Sequence, residues 1–319
     1  MKCPECGVEQ KKDGELRCCC GYQFIFQVGN AQEMTDAKFF NLLRRAGGNG
    51  RFYFTFPQLY STWCQQDAEE RIFLLRKKIA AVGGLLLILC IYCFLLFGWV
   101  GGLLSLILSI GPCWLLIRQY RRQLPPDLGK LKVLLKQWQA GHGGGDEMLL
   151  LRPGLHEPPS DFPEMDLFDY GVERIIIVER PLLVDLLVKN GFHADQNALV
   201  FSRDGYPAYI VQRAQKVLKE RASLPVYLLH DASEAGKAMS QKTRMSGRTV
   251  IDLGISPEHL GKMHFLNALQ LLRKGCKAPL DILPYPVLAT MCGTAIREER
   301  TLFEVLEQWD TERVRKPRL

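Results

Sequence analysis

The chain has 319 residues, enough for two or three small folded units. It is 47% hydrophobic and 24% charged, a balance that is typical of folded proteins and excludes a disordered chain. The net charge of +7 is only mildly basic, and much of the excess flanks an apolar block, so it fits a membrane surface as well as nucleic acid. Eleven cysteines, without a recognisable secretory signal peptide, indicate a reducing compartment rather than a disulfide framework.

The N-terminus carries two pairs of cysteines on short turn motifs. Cys3 and Cys6 form a C-P-x-C-G knuckle, and Cys18 and Cys20 form a shorter C-x-C-G knuckle. Thiolates spaced in this way can hold one tetrahedral zinc ion from two sides, in a closed site that is structural. The pattern is similar to a zinc ribbon, which we predict over residues 1–26 with these four cysteines as ligands. The three consecutive cysteines of the second knuckle leave its register open.

Residues 34–78 are predicted to form a small helical unit. Thr35 or Asp36 can cap a helix that runs to about Arg45, and the glycines that follow end that helix. The alternating segment RFYFTF predicts a short strand, and Pro57 fits the first turn of a second helix. We expect the last part of this unit to continue into the hydrophobic block.

That block, from Ile79 to Ile117, contains no charged residue over 39 positions. One straight helix of this length would measure roughly 58 Å, about twice the ~30 Å hydrocarbon core, so two passes fit better. We predict a two-pass transmembrane hairpin over 79–118 that turns between Gly98 and Gly102. Both flanks are basic, which predicts a multi-pass protein of the cell inner membrane with both termini in the cytoplasm. The flanking basic residues are Arg76, Lys77, Lys78, Arg118, Arg121 and Arg122. The alternative is a buried helical hairpin of a soluble protein.

Residues 119–169 are predicted to be a linker with one basic amphipathic segment. Two prolines, Pro125 and Pro126, end the second pass, and the segment LGKLKVLLKQWQ is expected to lie along the inner leaflet. Glycine-rich and proline-rich stretches follow it and indicate irregular structure. We expect His142 and His156, which lie in these stretches, to be solvated.

From residue 170 to 275 the pattern changes to strands that alternate with helices. Continuous apolar strands separated by helices of ten or more residues predict a parallel sheet with helices on both faces. The fold class is therefore a multidomain α/β membrane protein. In such sheets the binding site lies at the carboxyl ends of the strands. The candidates at this edge are Glu179, Ser202 to Gly205, Asp231 to Glu234, Asp252 and Gly254.

The order of these pieces resembles the Toprim domain, the catalytic core shared by topoisomerases, primases and some nucleases. That family ends its first strand in a glutamate, which matches Glu179 in IIIVERP. Its third strand ends in D-x-D, often followed by a glycine, and HDASEAG matches at Asp231 and Gly236. The resemblance implies a Mg²⁺ site with catalytic carboxylates, for which we name Glu179, Asp231 and Glu234. As binding residues at the same edge we name Ser233, Gly205, Gly236 and Arg180.

Two departures from the family pattern affect this site. Ser233 stands where the second aspartate is expected, which lowers the negative charge by one unit, and Arg180 follows the glutamate. Glu234 can compensate only in part, because one position along a helix start turns a side chain by about 100°. His230 beside Asp231 is either an acid/base group or a structural histidine.

Two other interpretations of DASEA remain. It is similar to the D-x-S-x-S metal site of von Willebrand A domains, but Ala235 replaces the last serine and only 88 residues follow Asp231. Alternatively, Asp231 and Ser233 only cap the next helix.

In the C-terminal extension, 276–319, three prolines by Pro286 argue against a long helix in its first part. The extension ends in a predicted amphipathic helix. Its apolar side carries Leu302, Phe303, Leu306 and Trp309. This side is expected to dock on the sheet domain or on a protein partner.

Two hypotheses for function follow. The first is a membrane-anchored, cytoplasm-facing scaffold or sensor whose degenerate Toprim-like domain binds a ligand, nucleic acid or protein without chemistry. The alternative is a membrane-tethered, Mg²⁺-dependent nuclease that acts on DNA or RNA. The expected partners are the lipid bilayer, nucleic acid, and a protein bound through the zinc ribbon or the C-terminal helix. Basic residues that could face nucleic acid are Lys216, Lys219, Arg221, Lys237, Lys242 and Arg244.

Overall fold

The computed structural model describes residues 2–9, 17–26, 34–122, 125–142, 147–157, 171–221, 223–243, 249–260, 262 and 278–315. At positions 93, 97, 101–110, 112–117, 119–122 and 313–315 it describes the backbone only. The chain divides into two compact units, one of residues 63–127 and one of residues 1–62 with 128–319. Arg244, parts of the predicted linker, and the predicted helix beyond Leu260 except for residue 262 lie outside the described residues.

The larger unit begins with the two cysteine knuckles and helix α1 (Asp36–Ala46). Thr35, one of the two predicted caps, caps α1 by accepting a hydrogen bond from the Lys38 amide at 3.3 Å. The carboxylate of Asp36 is buried and joins the knuckles to the helix. It accepts hydrogen bonds from the Tyr22 hydroxyl at 2.9 Å and from the amides of Ile25 and Phe26 at 2.8 Å.

Helix α3 (Leu128–Gly141) corrects one prediction about the linker. We expected its apolar side to lie on the inner leaflet, but that side is buried inside the larger unit, through Leu131, Leu134, Leu135 and Trp138. The Trp138 ring lies 5.1 Å from the ring of Phe39 in α1 and 6.0 Å from that of Phe26, centroid to centroid. Burial against two aromatic rings removes the apolar area that a bilayer would otherwise cover.

Strands β1 (Phe54–Thr55) and β2 (Leu149–Leu150) form a short parallel pair, and helix α2 (Phe56–Arg122) starts directly after β1. Side-chain hydrogen bonds connect the segment where β1 meets α2 to later parts of the chain. The Gln58 side chain donates to the Leu283 carbonyl at 2.8 Å, and the Asn190 side chain makes two hydrogen bonds with the Tyr53 backbone. The N-terminal elements and the sheet domain therefore belong to one packed body.

The smaller unit consists of the long part of α2 and the residues that follow it. The backbone of α2 departs from helical geometry at Gly98 (φ 65°, ψ −159°), so two helices meet at the predicted turn. Among the described residues, one helix, Phe56–Leu96, is long and apolar enough to cross a membrane, with a mean hydropathy of 2.8 in its most apolar window. None of that window is buried, and Leu95 and Trp99 are 75% and 73% exposed.

The sheet domain has four parallel strands, β3 (Arg174–Val178), β4 (Ala198–Ser202), β5 (Val226–Leu229) and β6 (Val250–Asp252). Their spatial order is β4-β3-β5-β6. The connection from β3 places β4 on one side of β3. The next connection crosses β3 and places β5 on its other side. The crevice of such a doubly wound sheet therefore opens at the carboxyl ends of β3 and β5.

Helices cover both faces of the sheet, as the continuous apolar strands predicted. They are α4 (Pro181–Lys189), α5 (Phe192–Asp195), α6 (Ala208–Glu220), α7 (Glu234–Lys242) and α8 (Pro257–Leu260). Because side chains alternate along a strand, Ile176 and Val178 face the core that contains α4, whereas Ile175 and Ile177 face α6.

The C-terminal extension completes the first of these cores. A 3₁₀ turn (Leu280–Ile282) leads into α9 (Tyr285–Glu298) and α10 (Leu302–Arg315). Helix α9 was not predicted, because the prolines around its start suggested a break. Pro284 is its N-cap and Pro286 stands in its first turn, where proline is tolerated. Helix α10 docks on the sheet domain, and buries Leu302, Phe303 and Leu306 there.

Candidate functional site

The four predicted zinc ligands lie together at the N-terminus. The sulfurs of Cys3, Cys6, Cys18 and Cys20 all lie within 4.8 Å of one another. Two backbone hydrogen bonds close the knuckles, from the Gly7 amide to the Cys3 carbonyl and from the Gly21 amide to the Cys18 carbonyl. Both glycines have positive φ angles, 73° and 94°, which a residue with a side chain adopts only with strain.

This arrangement fits a tetrahedral metal ion. Zn–S bonds of about 2.3 Å place sulfurs about 3.8 Å apart, and the sulfurs of Cys3 and Cys20 are 3.6 Å apart, those of Cys6 and Cys18 3.5 Å. The gathered set contains Cys18 and Cys20 and does not contain Cys19, which is the register that the prediction named. A hydrogen bond with the Cys20 backbone is the main cause that lowers the pKa of the Cys18 thiol to about 6. A hydrogen bond with the Val8 backbone lowers the pKa of Cys6, but contact with Cys18 and burial outweigh it and raise that pKa. A thiolate is the form that binds metal, so metal binding would release protons from the cluster. The cluster can therefore hold a metal ion.

At the carboxyl edge of the sheet, Glu179 follows β3 and is turned toward the end of β5. Its carboxylate accepts hydrogen bonds from the Asp231 amide at 2.8 Å and from the Ser233 hydroxyl at 3.3 Å. Ser233 also caps α7 by accepting from the Gly236 amide at 2.9 Å, as one of the alternatives predicted. Glu179 and Ser233 thus bind each other and the backbone.

Arg180 occupies the position next to Asp231. Its Nε donates to Asp231 Oδ2 at 2.5 Å, and its Nη2 donates to Asp231 Oδ1 at 3.2 Å and to Asp281 Oδ1 at 2.5 Å. The Leu280 amide also donates to Asp231 Oδ1, at 2.8 Å. Burial opposes the charged guanidinium, but Asp281 and Asp231 outweigh it and raise the pKa of Arg180. Asp231 is therefore neutralised by an internal cation.

The predicted Mg²⁺ site does not fit this arrangement. Magnesium needs several oxygen ligands in an octahedron, but Asp231 is paired with Arg180, and Glu179 is satisfied by an amide and a hydroxyl. Glu234, named as a third carboxylate, is exposed at the start of α7. Among the described residues, the cysteine cluster is the one group whose ligand atoms gather as a metal ion requires.

Two glycines shape the same edge. Gly205 (φ 84°) closes the turn after β4, where its amide donates to the Ser202 carbonyl at 2.9 Å. At Gly236 a side chain would start 2.5 Å from the Asp231 carbonyl oxygen and from His230 Nδ1. Gly236 therefore allows α7 to approach the end of β5.

His230 is a packed histidine with a charged partner. It is buried, its Nδ1 lies 2.8 Å from the Asp231 carbonyl oxygen, and its Nε2 lies 3.1 Å from Asp252 Oδ1. A carbonyl and a carboxylate both accept, so these contacts favour the doubly protonated ring. Burial lowers the pKa of His230, but the hydrogen bonds to Asp252 and Asp231 outweigh burial and raise it.

Asp281 is the residue of this edge that sequence reasoning missed. It lies in the segment APLDILPYP, 50 positions after Asp231 and outside the alternating strands and helices. No local pattern marks it, because its position follows from how the C-terminal extension folds back on the sheet.

Comparisons with known proteins agree with this geometry. Residues 174–251 match the family model of the Toprim domain found in Spo11 and in the A subunit of topoisomerase 6, so this segment is a Toprim domain of that type. The A subunits of type 2 DNA topoisomerase 6 from two strains of Halobacterium salinarum are each 33% identical to this chain over 78 residues. These residues are 24% of this chain and 21% of each relative, so the chain spans about a fifth of their length. No solved structure matches the chain significantly.

Proposed function

We propose that this protein is a membrane-anchored scaffold or sensor of the cytoplasmic face whose Toprim domain recognises DNA without cutting it. The observation behind this proposal is the ion pair of Arg180 with Asp231 and Asp281. A Toprim enzyme needs its strand-end carboxylates free to bind a metal ion that stabilises charge at a phosphodiester. The pairing of Asp231 removes the main support for the alternative of a Mg²⁺-dependent nuclease.

Recognition of DNA is supported by the family of the Toprim segment. The relatives are named as subunits of a DNA topoisomerase, and residues 174–251, which match the family model, contain the crevice at the carboxyl ends of β3 and β5. Arg203 adds a basic group beside this crevice. It is exposed, and its amide donates to the Val178 carbonyl at 2.8 Å, next to Glu179. An exposed guanidinium there can contact a phosphate.

Anchoring in the membrane is supported by the smaller unit. An apolar window with none of its surface buried requires an apolar environment, and hydrocarbon supplies one. The glycine break at Gly98 divides the apolar block into two segments of similar length, as a two-pass hairpin requires. The basic flanks favour both termini in the cytoplasm.

The N-terminal cysteine cluster is proposed to bind one structural zinc ion. Four thiolates leave no open position for a substrate, so zinc would supply folding energy to a segment that has only a small apolar cluster. The buried Asp36 carboxylate then connects this segment to α1, because it accepts hydrogen bonds from the amides of Ile25 and Phe26. The ribbon would act as an organiser or as a surface for a protein partner.

The test uses the full chain in detergent micelles. We expect a labelled DNA duplex to bind with salt-dependent affinity and to remain intact after incubation with Mg²⁺ or Mn²⁺. Arg203→Ala should weaken binding, whereas Arg297→Ala, the same substitution at an exposed position of α9, should have little effect. Metal-dependent cleavage that Asp231→Ala abolishes would restore the nuclease hypothesis.

The orientation is tested separately in sealed inverted membrane vesicles. With both termini on the cytoplasmic side, protease added outside these vesicles should remove epitope tags from either terminus. In right-side-out vesicles both tags should be protected. Removal of only one tag in either preparation would contradict a two-pass topology.

A further inference from the structure

Helix α3 carries lysines around the side that the larger unit leaves exposed. They are Lys130, Lys132 and Lys136, and all three are exposed. The helix contains no acidic residue. The ion pairs among the described residues do not include any of these lysines. We call the three lysines the basic face of α3.

The basic face combines unpaired positive charge with an apolar side chain. Lys132 and Lys136 are one helical turn apart, and like charges at this spacing destabilise a helix, so an anionic partner would stabilise α3. Val133, on the same exposed side, is 57% exposed. Lipid headgroups present negative charge above an apolar layer, and a basic helix surface with exposed apolar side chains fits that combination.

The position of α3 in the chain keeps its basic face close to the apolar block. Five residues separate the end of α2 at Arg122 from the start of α3 at Leu128. Covalent geometry limits such a segment to about 22 Å. From Arg118 to Lys136 the sequence has six basic residues and one acidic residue. A cluster of about four to eight basic residues on the cytoplasmic side of a transmembrane helix is typical of binding to anionic lipids.

We propose that the basic face of α3 binds anionic phospholipid headgroups of the cytoplasmic leaflet. This inference rests on the membrane anchoring proposed above. It assigns lipid contact to the lysines and not to the apolar side of α3, which is buried in the larger unit. The same lysines could attract nucleic acid, but the short connection to the apolar block gives lipid a high effective concentration at α3. Lipid is therefore the favoured partner.

The experiment measures the reactivity of each lysine in the zinc-loaded full chain, reconstituted in nanodiscs. The lipid is phosphatidylcholine alone or its mixture with phosphatidylglycerol. An uncharged amine-reactive ester acylates exposed lysines, and peptide mass spectrometry gives each rate. The anionic lipid should slow acylation of the basic face at least about 3-fold, and high salt should remove this protection. Internal controls that should not change are three exposed lysines of the sheet domain, Lys216, Lys219 and Lys242.

Variants test whether the lysines act together. In the double variant Lys132→Gln with Lys136→Gln, the protection of Lys130 should fall to about one. Lys132→Arg with Lys136→Arg keeps the charge and should keep the protection. Lys216→Gln with Lys219→Gln, the matched control on α6, should also keep it. All these positions are exposed, and lysine, arginine and glutamine have similar helix propensities, so the variants should fold.

Each other result would overturn the inference. Equal acylation rates of the basic face in both lipids would do so and leave the membrane anchoring intact. Equal protection of the sheet-domain lysines would show a general effect of lipid charge. Protection by a DNA duplex or by soluble glycerol phosphate in phosphatidylcholine nanodiscs, without protection by phosphatidylglycerol, would assign the face to another ligand. A chain that alkaline carbonate extracts from membranes would overturn the anchoring and the inference together.

Discussion

The N-terminal cysteine cluster and the edge of the Toprim sheet were both predicted as metal sites, but their ligand atoms are arranged differently. In the cluster four sulfurs lie within 4.8 Å of one another, a spacing that one metal ion can bridge. At the sheet edge each predicted carboxylate has another partner or faces solvent: Glu179 binds an amide and a hydroxyl, Asp231 binds Arg180, and Glu234 is exposed. Suitable ligand types in a suitable order therefore do not make a metal site if a neighbouring cation can take the position.

The difference follows from how far apart the ligands are in the chain. The four cysteines fall within 18 residues on two tight turns, so local backbone geometry brings them together. Glu179 and Asp231 are 52 positions apart, and Asp281 follows after another 50. Their meeting depends on the register of the sheet and on the return of the C-terminal extension, and both are tertiary properties.

The largest effect is expected at the cysteine cluster. Cys18→Ser should reduce bound zinc from one ion per chain to near zero and unfold the two cysteine knuckles, because structural zinc contributes about 10–16 kcal/mol to such small domains. Metal analysis of the purified protein and proteolysis of its N-terminus measure this. Cys19→Ser is the matched control, since Cys19 stands outside the gathered set, and zinc loss in this control would show a different register.

The next effect concerns the internal cation of the sheet edge. Arg180→Met should lower the free energy of unfolding by about 3 kcal/mol, because it leaves the buried Asp281 without its partner. Because the Arg180 side chain is partly exposed, solvent screening limits this loss of stability. Denaturant unfolding of the zinc-loaded protein in detergent measures it, and Arg203→Met at the same edge should cost no more than about 0.5 kcal/mol. Equal losses would mean that the pair contributes little.

A smaller effect is expected where α7 and β6 pack on His230. Gly254→Ala would place a methyl group against the imidazole ring and should cost about 1–3 kcal/mol, because His230 must shift away from Asp252. Thermal unfolding measures this change. Gly84→Ala in α2 is a suitable control, because no atom lies within 4 Å of the added carbon, and it should be nearly neutral.

The smallest effect is the pH dependence of the pair between His230 and Asp252. The raised pKa of His230 gives stability that is fully present below its ordinary value of 6.5 and is lost as pH rises through the folded-state value. Burial opposes ionisation of Asp252, but hydrogen bonds from His230, Ser240 and Gly254 outweigh it and lower its pKa. The contribution of Asp252 is therefore present above 3.8 and is lost as pH falls through its folded-state value.

Unfolding measured between about pH 5.5 and pH 8.5 should show a loss of less than about 1 kcal/mol on the alkaline side, since Asp252 is 43% exposed. Asp252→Asn should remove most of this slope. The other acidic groups near the ring, Glu179 and Asp231, remain in that variant, so a slope that persists unchanged would assign the effect to them.

Much of the fold could be predicted because local sequence patterns specify it. The Thr35 cap, the proline at the start of α2, the break at Gly98 and the four parallel strands all follow from propensity, turn chemistry or the two-residue period of a strand. Helix α9 was missed because its prolines were interpreted as a break rather than as a first turn. Helix α3 was assigned to the lipid surface because an apolar stripe alone does not say what covers it.

The sequence by itself determined which groups could do chemistry: four cysteines on two knuckles, and a glutamate and an aspartate at the ends of two strands. Only the tertiary structure decided which partner each of these groups binds. Turns of a few residues can gather thiolates without help from the rest of the chain. The state of Asp231 depends on Arg180 beside it in space and on Asp281 from the far end of the fold, and a buried charge takes the partner that packing places within hydrogen-bond distance.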